Sequence, residues 1–420
     1  MRRPPLIAAA TVAVLSAALL AGAPARADLA QPAQVSANPV DYTPHVLEGT
    51  VHALALVGET VVVGGDFSEI ADASGKNRAK RTSIFAYNLR TGAVNALATR
   101  LDGMVLALTA GPNNTVYVGG DFKRVNGVAQ RGITQLNVAD GSRVEAFTAR
   151  IGHSDVRALS VSGPWLYVGG TFTSINGVER VALGRVNPTT GATDTAWNPG
   201  IAAPHLDRAK VEDFAISPNG QRLVAIGAIE HAAGQYRAQV AMFDLTPAVP
   251  TLVDWYTDAY SARCLAGFDT YLRGVDFAPD SSYFVLVTTG RDSHPKKTCD
   301  TAARFETAGT GMRKPTWVNH TGGDSLYSVS VTGSTVYVGG HQRWQNNPFG
   351  RESKGKGAVS REGIAALDPV TGLATDWNPG RARGVGVKAL LSTPAGLIVG
   401  SDTERLAREY HGRIGMFPPA

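Results

Sequence analysis

Short apolar runs alternate along the chain with polar turns, and this pattern predicts β-strands. The runs VVVGG at 61–65 and IFAY at 84–87 are typical, and turn residues follow each of them. Short apolar runs bounded by such residues are characteristic of buried strands. The Thr-Gly pairs at 190–191 and 371–372 are hairpin signals, because glycine adopts positive φ readily. The chain is therefore predicted to be all-β.

One motif recurs along the chain and defines its period. The sequence VVVGGDF at 61–67 returns as VYVGGDF at 116–122, LYVGGTF at 166–172 and VYVGGH at 336–341. Weaker copies lie at 223–227, 284–288 and 397–400, so that seven copies stand about 50–60 residues apart. A strand precedes each copy, and a loop, a third strand, a turn and a fourth strand follow it. Seven units of four antiparallel strands predict a seven-bladed β-propeller.

The two ends of the chain complement each other in this repeat. The last unit stops after its third strand, and DYTP at 41–44 precedes Val51 much as DWNP at 376–379 precedes Val387. We therefore expect the N-terminal segment 38–50 to complete the last blade and to close the ring. A solenoid is the main alternative, but it would favour a shorter repeat and atypical capping units.

The repeated motifs resemble those of the delta-60 repeat family of secreted bacterial β-propellers, and more loosely those of kelch-like propellers. The resemblance is carried by VYVGGDF, by VNG at 125–127 or ING at 175–177, and by DWNPG at 376–380. It covers nearly all of the chain after residue 27, although the fourth and fifth units lack the Gly-Gly pair. It implies an exported binding or surface-associated propeller and no single activity.

The N-terminus has the pattern of a secretory signal. Arg2 and Arg3 precede the apolar run 6–23, and Ala25 and Ala27 are small residues where signal peptidase needs them. We expect cleavage after Ala27, with an uncleaved membrane anchor as the alternative. Residues 28–420 are then one domain that does not insert into a membrane. Its expected units are 51–103, 104–155, 156–210, 211–270, 271–325, 326–384 and 385–420, the last completed by 38–50.

Charge and cysteine content narrow the class of partner. Without the arginines of the signal, 37 basic residues face 35 acidic ones, a net charge of +2. This balance offers no concentrated basic face for nucleic acid. Cys264 and Cys299 are expected to form a disulfide in an oxidising compartment, with free thiols or a metal pair as alternatives. We expect a secreted, extracellular monomer.

The first strand of each unit carries a variable residue inside a constant frame. Its first and fourth positions are apolar, and its third is small in six of the seven units. The second position differs each time and holds His52, Leu106, Arg157, Glu212, Arg273, Tyr327 and Lys388. We expect the six polar residues to ring the mouth of the central channel and to bind a ligand. Three cations against one carboxylate favour an anionic or polyhydroxylated ligand, whereas the alternative is a channel that is simply hydrated.

Several other recurring residues admit a structural or a functional interpretation. One arginine position holds Arg81, Arg180, Arg237 and Arg361, with Arg131 and Arg413 displaced by a residue or two. These arginines are expected to tether loop carbonyls or the carboxylates of Asp66 and Asp121. The recurring tryptophans, expected between blades or as sugar-stacking platforms, are Trp197, Trp255, Trp317 and Trp377. The Gly-Gly pairs are expected to permit a bulge or close contact between blades.

Irregular loops point to one functional face and leave three functions open. The loops 68–80, 291–300 and 341–360 and the connections 201–210 and 256–270 are all expected on that face. The first function is a non-catalytic propeller without a cofactor that binds a glycan, a cell-wall polymer or a protein there. The second is a lyase or hydrolase that uses a divalent metal on an anionic substrate at the channel mouth. The third is a structural or adhesion module.

The metal-dependent alternative rests on histidines, and no catalytic residue is assigned. Seven of the nine histidines fall in segments expected on the irregular face: His45, His153, His205, His231, His294, His320 and His341. None of them shows the sequence spacing of a local metal-ligand motif. A serine hydrolase is excluded because the chain has no G-x-S-x-G elbow.

Overall fold

The computed structural model describes residues 29–265, 267–291 and 294–420. The signal sequence expected at 1–27 lies outside these residues. Regular structure within them consists of β-strands, without an α-helix. Accordingly, these residues include no helix of the length and apolarity that a membrane span requires.

Seven antiparallel sheets of three or four strands contain the long strands of the described ranges. Each sheet starts with an inner strand, the strand that lines a central cavity. The inner strands are Val51–Val57, Val105–Gly111, Val156–Ser162, Lys210–Ile216, Leu272–Phe277, Leu326–Val331 and Ala389–Thr393. The second strands are Thr60–Gly65, Thr115–Gly120, Trp165–Gly170, Arg222–Ala228, Tyr283–Thr288, Val336–Gly340 and Gly396–Gly400. The third strands are Ile84–Asn88, Ile133–Asn137, Leu183–Val186, Val240–Asp244, Thr301–Glu306, Ile364–Leu367 and Ile414–Phe417.

The fourth position of a sheet is a regular strand in only two cases. Thr251–Leu252 joins the fourth sheet and Trp317–His320 joins the fifth, the two units that lack a Gly-Gly pair. In four other sheets the third strand forms a single β-bridge here: Tyr87 with Val94, Leu136 with Arg143, Val186 with Thr193, and Leu367 with Ala374. Two backbone hydrogen bonds flank each bridge, as from Asn88 N to Ala93 O and from Asn95 N to Ala86 O in the first sheet.

Short hairpins occupy the loops after six of the second strands. They are Glu69–Ala71 with Arg78–Lys80, Arg124–Val125 with Val128–Ala129, Ser174–Ile175 with Val178–Glu179, His231–Ala232 with Gln235–Tyr236, Trp344–Gln345 with Val359–Ser360, and Arg405–Leu406 with Glu409–Tyr410. The remaining strands are His45–Val46, Trp255–Tyr256 and Gly311–Met312. In four units a β-bridge joins the hairpin to the segment before the inner strand: Leu101 with Val125, Ile151 with Ile175, Ala202 with His231, and Arg381 with Leu406.

The fifth unit has a covalent link where the others have this bridge. Cys264 precedes the inner strand, Cys299 lies in the loop after the second strand, and the two form the expected disulfide. Gly290 makes room for it, because a Cβ added there would lie 2.7 Å from the Cβ of Cys264. By the chain-entropy relation, a bridge over a loop of this length stabilises the fold by roughly 3–4 kcal/mol.

The hydrophobic core is divided among the spaces between consecutive sheets. Each inner strand contacts the inner strand of the next sheet, and the seventh contacts the first. One cluster packs Val51 and Val61 of the first sheet against Ile398 and Met416 of the seventh. The glycines permit this close approach, as expected. A Cβ on Gly64 would lie 2.3 Å from Val105, which starts the next inner strand.

The N-terminal segment runs beside the seventh sheet. Val40 donates its N–H to the carbonyl of Met416 at 2.9 Å, and Ser36 donates to Pro418 at 2.8 Å. Val35 forms an antiparallel bridge with Pro419 and is buried. The N-terminal segment is therefore hydrogen-bonded to the third strand of the seventh sheet and to the residues that follow it.

Candidate functional site

The seven variable residues of the inner strands line one cavity. This cavity lies between the inner strands and has a volume of about 420 Å³. The six polar residues expected at its mouth all belong to its wall: His52, Arg157, Glu212, Arg273, Tyr327 and Lys388. Leu106, the seventh variable residue, lines it as well. Their convergence is a feature of the structure, whereas their role in ligand binding stays a prediction.

A repeated bulge explains why the second position of the inner strand can vary. In six sheets the strand register shifts between the first and third positions, as between Val51 and Ala53. A bulge leaves one residue outside the ladder and turns its side chain away from the alternating pattern. The second residue therefore has no fixed packing partner to satisfy.

One side of the cavity mouth is neutralised by ion pairs. Arg157 lies 3.1 Å from Glu212 and 2.9 Å from Asp155, and Lys210 lies 3.0 Å from Glu212. Burial raises the pKa of Glu212, but Arg157, Lys210 and Arg273 outweigh it, so the pKa is lowered. Glu212 is thus a carboxylate, and much of the charge that it and Arg157 carry is internally compensated.

Two further cations of the cavity wall, Arg273 and Lys388, lack a direct ion pair of this kind among the described residues. Lys388 places Nζ 3.3 Å from the ring centroid of Tyr327, and Arg273 donates to the carbonyls of Thr270 and Leu272. Among the described residues, neither cation forms an ion pair with a carboxylate. Burial, followed by the positive charge of Arg273, lowers the pKa of Lys388 to about 8, and the carboxylates of Asp402 and Glu212 oppose this shift.

Two histidines lie near these cations. His52 is 3.8 Å from Asp66. Burial lowers the pKa of His52, Asp66 opposes the shift, and Lys388 adds to it. The Nδ1 atom of His341 is 3.3 Å from the Tyr327 hydroxyl and 3.1 Å from the carbonyl of Val385. Both rings therefore border the cationic side of the mouth.

Deeper carboxylates were not anticipated from the sequence. Asp213 and Asp276 also line the cavity, and each accepts a hydrogen bond from the next inner strand. Asp213 accepts from Val275 N at 3.1 Å, and Asp276 accepts from Val331 N at 2.7 Å. The sequence offered one signal for these carboxylates: at the third position of the inner strands, which is small in the other six units, the fourth unit has Asp213.

The recurring arginines bind backbone carbonyls, as one of their two interpretations predicted. Arg180 donates to Asp194 O, Arg237 to Val253 O and Arg361 to Thr375 O. Arg81 donates to the carbonyl of Lys80, and Arg413 to those of Gly49 and Val46. Asp66 and Asp121 instead accept backbone N–H groups, from Thr50 and Met104.

The repeat position of these arginines is filled by other residues in two units. Gln130 occupies it in the second unit and donates to Ala149 O at 2.6 Å. His411 occupies it in the last unit and lies 3.5 Å from the hydroxyl of Thr43. The position therefore contacts the outer segment in five units, including the N-terminal segment beside the seventh sheet.

The recurring tryptophans are buried between sheets and are not sugar platforms. Their exposed fractions are 2% for Trp197, 0% for Trp255, 8% for Trp317 and 5% for Trp377. Trp255 and Trp317 donate Nε1 to carbonyls later in the chain, those of Glu306 and Pro369. Trp377 donates Nε1 to the carbonyl of Ser36 in the N-terminal segment. Their surface is thus unavailable to a glycan.

Some of the irregular loops contact one another. The disulfide joins the connection 256–270 to the loop 291–300, and Arg291 lies 3.9 Å from Glu352 in the loop 341–360. Arg383 donates to the carbonyl of His341. That the loops 68–80 and 201–210 share the same face stays a prediction.

Two segments, 111–143 and 165–196, match the family described as "Domain of unknown function (DUF5122) beta-propeller". The chain contains a β-propeller domain. No curated protein matches its sequence. Among solved structures, the propeller is similar to the computationally designed Ika8 protein, with 13% identity and a TM-score of 0.47, over 88% of this chain and 96% of that one.

The donor groups of the propeller do not fit the divalent metal of the enzyme alternative. Within the described ranges, no three His, Cys, Asp or Glu side chains are grouped so that they could hold a metal ion. Of the loop histidines, His341 contacts Tyr327 of the mouth, whereas His205 pairs with Glu230 and His231 packs on Tyr236. We therefore derive no metal-dependent step.

Proposed function

We propose that this chain is a secreted, non-catalytic, seven-bladed propeller that binds an extracellular ligand through an anionic group at the cavity mouth. The ligand classes are a glycan, a cell-wall polymer or a protein. Affiliation with the delta-60 repeat or kelch-like propellers is part of the same proposal. The seven-bladed architecture is proposed from the sequence repeat, because each of the seven expected units contributes one inner strand to the wall of the cavity.

Ring closure by the N-terminal segment is supported from two sides. The segment is hydrogen-bonded to the third strand of the seventh sheet, and Trp377 of the sixth unit donates Nε1 to Ser36 O. His45–Val46 also pairs with Glu69–Ala71, where other units bridge the hairpin to the preceding connection. The segment thus makes the contacts of a fourth strand on one side and of an inter-blade connection on the other.

Secretion is supported by cysteine chemistry and by the N-terminal sequence. The two cysteines of the chain form a disulfide, and disulfides persist in oxidising compartments. The charged start, the apolar run and the Ala25 and Ala27 pattern precede it. Both features favour an extracellular protein.

The observation that carries the binding proposal is the pair Arg273 and Lys388. Both side chains are partly buried, and like charges raise each other's electrostatic energy. The pKa of Lys388 is lowered first by burial and then by Arg273, against the opposing charges of Asp402 and Glu212. An anion placed between them relieves the repulsion and supplies the missing counter-ion. Arginine presents a planar fork for a carboxylate or phosphate, and Lys388 adds a compact charge.

An array of acidic and neutral glycans and wall polymers tests this proposal, with Arg273→Gln and Lys388→Gln as the probes. Acidic ligands are expected to bind the unaltered protein and to lose at least about tenfold in affinity in each variant, since a charge-assisted contact contributes about 1.5–3 kcal/mol. Arg90→Gln is the matched control, because Arg90 pairs with Glu59 on the exposed surface.

Equal binding by all four proteins would refute the assignment of the mouth. Binding that depends on neither charge nor the mouth residues, but is found with purified surface proteins, would instead favour the structural or adhesion module.

A further inference from the structure

We infer that the anionic ligand carries an apolar group, an acyl chain, which enters the cavity beyond the mouth. This inference rests on the proposed anion site, and it adds a ligand class to those proposed above: a monocarboxylate with an aliphatic tail.

The wall beyond the mouth has two chemically different halves. The seventh, first, second and third sheets contribute an apolar half in which Thr109 alone is polar: Ala53, Leu54, Ala55, Ala107, Leu108, Thr109, Ala158, Leu159, Ala389, Leu390 and Leu391. The fourth, fifth and sixth sheets contribute a half with carboxylates and hydroxyls: Asp213, Gly274, Val275, Asp276, Ser328, Val329 and Ser330. Because the inner strands contact in chain order, each half is contiguous.

The apolar half begins directly at the cationic side of the mouth. Lys388 belongs to the same inner segment as Leu390 and Leu391, and the next sheet supplies Leu54. Leu106 then extends the apolar wall up to the mouth, where the other six units place a polar residue. Leu54, Leu106 and Leu390 remain partly exposed, although they are enclosed by the sheets.

This arrangement suits an amphipathic anion better than a sugar. A hydrated sugar offers hydroxyls on all sides and would leave some of them unpaired against leucine, which is costly. A carboxylate held by Arg273 and Lys388 leaves its chain against Leu390, Leu54 and Leu106. The cavity volume of about 420 Å³ lies within the range of small-molecule sites.

Calorimetric titration with four probes tests the inference: octanoate, acetate, glucuronate and octyl glucoside. Burial of each methylene increases affinity by about fourfold, so octanoate is expected to bind at least about 30-fold more tightly than acetate. Leu106→Gln should reduce octanoate affinity by a larger factor than acetate affinity, because only octanoate has a chain that reaches this wall. Other units hold polar residues at this position, so the variant is expected to fold, and circular dichroism checks this.

The outcomes separate the inference from the function on which it rests. Equal affinities for octanoate, acetate and glucuronate, all lost in Lys388→Gln, would overturn the inference and leave the anion site standing. Equal binding of octyl glucoside and octanoate, unaffected by Lys388→Gln, would overturn the anion site and with it the inference. Binding of none of the probes would overturn both.

Discussion

At the scale of single residues, the most informative side chain is Lys388. Its side chain is partly buried, faces the ring of Tyr327 and has Arg273 as a like-charged neighbour. A group placed in this way is costly to the fold unless a ligand compensates it. Function and stability therefore oppose each other at this residue.

Replacement of Lys388 by methionine is expected to stabilise the protein at pH 7. The pKa of Lys388 is about 8 instead of 10.5, and 1.36 kcal/mol for each pH unit gives an upper limit of about 3 kcal/mol. Because the folded pKa is lowered, the stability of the unaltered protein rises with pH between these values. Urea unfolding at pH 7 and pH 9.5 measures both effects.

The matched control for this change is Lys123→Met, since Lys123 is exposed. It should leave stability nearly unchanged at both pH values. A Lys388→Met protein that is less stable than the unaltered one at pH 7 would contradict the burial cost argued here.

At the scale of elements, the N-terminal segment depends on two histidines. His45 accepts the N–H of Gly412 at Nδ1 and donates Nε2–H to Ala73 O, so the neutral ring satisfies both contacts. Asp72 and His411 are the charged groups that act on it, and Tyr410 packs on its face. Protonation of His45 removes the acceptor and breaks the contact with Gly412.

Acid is therefore expected to weaken this segment, and His411→Gln should reduce the effect. Burial lowers the pKa values of His45 and His411, while Glu409 and Asp41 raise that of His411 without reversing the shift. With folded pKa values below 6.5, the stability is complete above that pH and is lost as the pH falls below it. Glutamine fits the position, because Gln130 fills it in the second unit.

Urea unfolding at pH 7 and pH 5 measures this prediction. The unaltered protein should lose more stability than His411→Gln between the two pH values, since a group whose folded pKa is lowered no longer titrates in the variant. An identical loss in both proteins would show that His411 does not contribute to the acid sensitivity.

At the scale of the whole molecule, the proposed closure makes the two ends of the chain interdependent. Removal of residues 29–44 is expected to cost at least about 3 kcal/mol, because buried Val35 and the backbone pairs with the seventh sheet are lost. It also exposes the edge of Ile414–Phe417, and exposed edges promote aggregation. Urea unfolding and light scattering test both consequences.

Removal of residues 29 and 30 alone is the control, because both precede the contacts with the seventh sheet. Unchanged stability after the longer deletion would argue against closure.

The sequence by itself determined the all-β class, the repeat and the disulfide. These follow from local rules, because the strand and turn residues recur in every unit. Two cysteines can also form only one intramolecular disulfide. It also indicated which positions of the inner strands vary, since Val51 and Leu54 recur as apolar positions while His52 does not.

Only the tertiary structure decided which of the variable residues are compensated. Arg157 and Glu212 are 55 residues apart in sequence, yet they pair at 3.1 Å across neighbouring sheets, whereas Arg273 and Lys388 form no direct ion pair with a carboxylate among the described residues. The two-sided cavity wall is likewise a property of the assembled sheets. Charge compensation depends on distances between distant segments, and these are set by packing and not by local sequence.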